Sequence, residues 1–140
     1  MRASRLGRYS WTMFDWANQP FYTLIMTFVF SVYFTDVFIV GEDGAQKLTL
    51  TQTISGLAIA LLSPVLGSIT DMKGNRKLLM GITSALFVLG MALLWYSPPG
   101  APDGIWLVML GLILASAMVG FSEVFNNSVL STIETPENSG

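Results

Sequence analysis

The chain has 140 residues, of which 52% are hydrophobic and 11% charged, with a formal net charge of −2. It has no cysteine and no histidine, which excludes disulfides, thiolate chemistry and the usual side chain for proton transfer near neutral pH. The small net charge gives no electrostatic basis for a nucleic-acid partner.

Four windows carry no charge: 16–35, 48–70, 78–102 and 104–122, of 20, 23, 25 and 19 residues. A bilayer core of about 30 Å needs about 20 apolar residues in a helix. A soluble bundle would need polar faces at helical spacing, and the centres of these windows are apolar all round. The fold expected is therefore all-α and integral to the membrane, with helices over 10–36, 50–71, 77–96 and 104–128. The basic N-terminus is no signal peptide, because Asp15, Asn18, Gln19 and Pro20 interrupt what would be its apolar region.

In chain order, the first helix contains Pro20, whose missing N–H predicts a loosened turn near residues 16–18. Thr49 or Thr51 suits the N-cap of the second. Pro64 lies inside it, which membrane helices tolerate. Pro98, Pro99 and Gly100 stop the third helix, and the fourth starts near Asp103 or Gly104. Small residues at Gly56, Ala60 and Gly67, and at Gly111, Ala115 and Gly120, are candidates for close helix contact.

The loops alternate in sign. Arg2, Arg5 and Arg8 precede the first helix, and Lys73, Arg76 and Lys77 lie in the 71–77 loop between the second and third. Asp36, Glu42 and Asp43 dominate the first loop, and Asp103 is the one charge in the third. The positive-inside rule puts the N-terminus and the 71–77 loop in the cytoplasm, with the cell (inner) membrane as the expected location.

Residues 67–79 read G-S-I-T-D-M-K-G-N-R-K-L-L. Asp71 ends the second helix, an unfavourable place for an anion unless it has a fixed partner. The segment resembles the loop signature of the major facilitator superfamily. Gly67, Asp71, Gly74, Arg76 and Leu79 match, whereas Met72 and Asn75 stand in basic slots. The resemblance implies a gating network between this loop and an acid on the fourth helix, here Glu123. Near the N-terminus, Asp15-Trp16-Ala17-Asn18 looks like the vacuole effluxer-like branch, as does Phe125-Asn126-Asn127-Ser128. In that branch's yeast member the resemblance implies amino-acid export from the vacuole.

A twelve-helix facilitator builds each half from two three-helix repeats. The expectation is thus the first four helices of such a transporter, incomplete after residue 128. Its partners would be the lipid bilayer, the remaining helices and a small-molecule substrate of the full-length protein. The alternative is a stand-alone four-helix membrane protein that binds or stabilises a partner. Neither reading makes it an enzyme. No phosphate-binding loop, dinucleotide fingerprint or nucleophile motif is present, and no metal or other cofactor is expected.

Asp15 and Glu123 are the carboxylates within or near the membrane, where a charge is costly unless paired or hydrated. They are the candidates for substrate or proton coupling. Asn18, Asn126 and Asn127 are polar groups at similar depth, suited to substrate contact or to joining helices.

Overall fold

The computed structural model describes residues 5–73, 76–99 and 102–133; side chains at 5, 8, 11, 69–73, 76, 102 and 127–133 lie outside the described set. Among the described residues the chain is helical with no strand, and four stretches are long and apolar enough to cross a membrane. These spans are Thr12–Phe38, Glu42–Ser68, Lys77–Tyr96 and Ile105–Asn126. All backbone polar groups of a helix bond internally, which is what the interior of a bilayer demands.

The first span is a composite. Helix α1 (Arg5–Pro20) gives way to a π-helical run, Phe21–Phe28, then to α2 (Phe30–Tyr33) and a second π-helical run, Phe34–Phe38. In the first run backbone bonds reach five residues back, as in Val29 N–H to the Leu24 carbonyl at 2.7 Å. The loosened turn expected before Pro20 thus lies after it. Pro20 sits at φ −59°, ψ −30°, so α1 keeps its register through the proline. Gly41, at φ 102°, turns the chain between the first two spans.

Helix α3 (Glu42–Lys73) begins about two turns before the expected residue 50. Glu42 and Asp43 in its first turn suit the positive end of the helix dipole, so the acidic loop is drawn into the helix. Thr51 is consequently mid-helix and no N-cap: its hydroxyl donates to the Lys47 carbonyl at 2.7 Å. Helix α4 (Arg76–Leu93) ends in a 3₁₀ turn, Leu94–Tyr96. Helix α5 (Ile105–Ile133) follows a second 3₁₀ turn, Pro102–Gly104.

Helix α5 is the centre of the bundle, packed against α4 on one side and α3 on another. Lipid tails are as apolar as leucine, so these contacts rest on close van der Waals packing rather than on escape from water. Gly90 and Gly111 permit the closest approach. A Cβ on Gly90 would lie 2.8 Å from the Gly111 carbonyl oxygen, and one on Gly111 would lie 2.7 Å from that of Gly90. On the α3 side, a Cβ on Gly120 would meet the Ile59 side chain at 2.5 Å. Gly56 and Gly67 of α3 have no described atom within 4 Å of a Cβ position.

Three apolar clusters stack along α5. Phe34, Phe38, Leu94, Val108 and Leu112 fill one end. Phe21, Ala115 and Val119 form the middle, and Ala117, Phe121 and Phe125 the other end. At the first of these ends the Tyr33 hydroxyl donates to the Ser97 carbonyl at 2.5 Å, tying the first span to the segment after α4.

Candidate functional site

Asp15 projects from α1 and is half-buried. Tyr22 follows seven residues later, two helical turns on and therefore on a similar face. It sits in the first turn of the π-helical run, half-buried beside the fully buried Phe21. Glu123 comes from α5, half-buried, two residues before Phe125 of the third cluster.

The first span lies against α5, which brings the three side chains into one neighbourhood. The Tyr22 hydroxyl is near enough to the Glu123 carboxylate to interact with it electrostatically. The Asp15 carboxylate is near enough to act electrostatically on Glu123.

Asn18 is half-buried on α1, one turn beyond Asp15. Asn126 is 2% exposed on α5, one turn beyond Glu123. The side chains of Asp71, Arg76 and Asn127, and Gly74 as a whole, lie outside the described residues. A loop network joining Asp71 and Arg76 to Glu123 therefore falls on residues without described side chains. Gly67 is half-exposed near the end of α3. Among the described residues no three His, Cys, Asp or Glu side chains gather as a metal site.

Tyr22 is the residue the sequence reading passed over. Its signal was the seven-residue spacing from Asp15, which puts a hydroxyl and a carboxylate on one side of a helix. Inside a window rich in aromatic residues that spacing carried little weight, because Tyr22 also passes for one more packing ring.

Fold and composition together define an integral membrane protein that is helical throughout its described residues. The chain is similar to YxiO of Bacillus subtilis (strain 168), described as an uncharacterized MFS-type transporter. The two are 33% identical over 134 residues, covering 91% of this chain and 30% of that protein. The chain thus spans under a third of the length of the relative it matches. No family model matches the chain, and no solved structure does.

Proposed function

We propose that this chain supplies the first four membrane helices of a major facilitator secondary transporter, which moves a small solute by alternating access. The observation that carries the reading is the similarity to the MFS-type transporter, whose alignment leaves out a stretch shorter than any one span. Four apolar spans and the match of Gly67, Asp71, Gly74 and Arg76 to the superfamily loop signature support it.

In this reading the N-terminus and the basic loop face the cytoplasm of a cell carrying the protein in its inner membrane. Asp71 and Arg76 steady one conformation of the loop. Asp15 and Glu123 form the coupling pair, and Asn18, Asn126 and Asn127 contact the solute. Amino acids are the first solute class to test, on the resemblance of Asp15-Trp16-Ala17-Asn18 to the vacuole effluxer-like branch.

The experiment is reconstitution of the complete open reading frame in proteoliposomes carrying an internal pH dye. Addition of amino acids is expected to move protons in the wild type, and Glu123→Gln is expected to lose at least tenfold of that rate. Proton flux in Glu123→Gln equal to wild type overturns the coupling role. A reading frame without further spans, or a protein that moves no solute across a broad panel, overturns the transporter reading.

A further inference from the structure

Three hydroxyl side chains follow the first span at four-residue intervals: Thr27, Ser31 and Thr35. In a membrane helix such a hydroxyl commonly bonds the carbonyl four residues back. Ser31 donates to the Thr27 carbonyl at 2.8 Å and Thr35 to the Ser31 carbonyl at 3.2 Å. Thr27 departs from the series: its hydroxyl donates to the Tyr22 carbonyl, five residues back, at 2.8 Å. It lies in the π-helical run Phe21–Phe28, whose exit keeps the same five-residue reach from Val29 to Leu24. The Thr27 side chain is thus a clamp on the π register, and an α register would offer it the Thr23 carbonyl instead.

The π register also decides which side of the span meets α5. Phe21 and Met26 pack in one cluster with Ala115 and Val119 of α5. They are five residues apart, and at about 100° per residue an unbroken α-helix would point them about 140° away from each other. Five residues close one π-helical ring, so both side chains reach the same neighbour.

The two sides of the run are held unequally. Towards the C-terminal side, the Ser116 hydroxyl approaches the Met26 sulfur at 3.8 Å, Phe34 and Phe38 are buried, and the Tyr33 hydroxyl holds the Ser97 carbonyl. On the N-terminal side no described side chain of α1 is buried; Phe14, Asp15 and Asn18 are half-buried and the rest exposed. Among the described side chains, Phe21 is thus the buried one that fixes how α1 is rotated, wedged against Phe87, Ala115 and Val119. Turning it out into lipid loses only its packing contacts, because acyl chains are as apolar as the pocket it leaves. Both registers bond the backbone internally, as the bilayer interior requires.

We infer that the first span is a two-register helix. Its run from Phe21 to Phe28 passes between the observed π register and an α register, and each passage turns α1 by about 100° about its own axis. The C-terminal remainder of the span stays fixed on α5. Asp15 and Asn18 ride on α1, so the turn takes both from the side that packs on α5 and brings exposed side chains in their place. This is a moving part that goes beyond the transport reading.

The test uses the protein encoded by the complete reading frame, in lipid nanodiscs, with any cysteine beyond residue 140 replaced by serine; the 140 residues themselves have none. Spin labels on Met13→Cys and Ile82→Cys, both exposed positions, report how α1 is rotated against α4. Labels on Val37→Cys and Ile82→Cys report on the fixed half. Electron–electron double resonance is expected to show two Met13–Ile82 distances about 5 Å or more apart, since a side chain travels round a helix about 10 Å across. Val37–Ile82 is expected to show one. Thr27→Val removes the clamp and keeps the side-chain shape, and is expected to raise the second population about fivefold, the weight of one hydrogen bond. Deleting Thr23 places Phe21 and Met26 four residues apart, so that an α register serves both, and the second population is expected to vanish.

A single Met13–Ile82 distance in both wild type and Thr27→Val overturns the inference, as does a second population that survives deletion of Thr23. A Val37–Ile82 distance that splits along with the other overturns it too, because the span would then move as one body. No readout depends on flux, so failure here is distinguishable from failure of the transporter reading.

Discussion

Helices α5 and α3 are both long and largely apolar, and the bundle treats them oppositely. Within their apolar windows, 61% of α5 is buried and 11% of α3. The difference lies in small residues that meet a partner. Gly111 and Ala115 of α5 abut Gly90 of α4, and Gly120 abuts Ile59. Gly56 of α3, at an equally suggestive spacing, faces no described atom. In lipid, hydrophobicity does not choose which helix sits in the middle; the fit between backbones does.

The largest expected effect breaks the tightest of these contacts. Gly90→Leu drives a side chain into the α5 backbone, which cannot step aside as a flexible side chain would. We expect destabilisation of about 3 kcal/mol or more, with loss of the monodisperse peak in detergent and a clear fall in melting temperature. Gly56→Leu on α3 is the matched control, expected to change stability by about 0.5 kcal/mol at most. Equal losses in the two variants would mean that the contrast between the helices is wrong.

A smaller effect is expected at Gly120. Gly120→Ala presses on the end of the Ile59 side chain, which can rotate, so a cost of about 1 kcal/mol is expected. Combining it with Ile59→Val should recover most of that loss in a double-mutant cycle. Additive losses would show that the two residues do not touch.

The smallest is Tyr33→Phe, which removes the hydroxyl bonded to the Ser97 carbonyl at the far end of the first span. A loss of about 1 kcal/mol or less is expected, read from thermal unfolding in the same detergent. Faster amide exchange around residues 94–97 should accompany it. Wild-type exchange there would remove the tether from the account.

Much of this arrangement was legible in the sequence. Four uncharged windows separated by charged loops gave the number of spans, and Gly111, Ala115 and Gly120 marked the face of α5 that packs. Their partners were not legible: Gly90 is an isolated glycine in an apolar helix, and Ile59 is one aliphatic residue among many. The π-helical runs were hidden for a related reason. A one-residue change of register leaves its trace in hydrophobic periodicity, and a window apolar on every side has none to shift. The start of α3 was missed because Glu42 and Asp43 read equally well as a polar loop and as a favourable first turn. At the site, Asp15 and Glu123 stood out as charges in apolar surroundings, whereas the Tyr22 phenol had no such contrast.

Helix α3 has 32 residues, so at about 1.5 Å per residue it is about 48 Å long. That exceeds the roughly 30 Å hydrocarbon thickness by several turns. A rod of that length with the basic segment at its tip is a lever. A tilt of about 10° about one end carries the other end about 8 Å, more than the roughly 5.4 Å rise of one helical turn. Small rearrangements where Glu42 begins the rod are thereby magnified at Lys73.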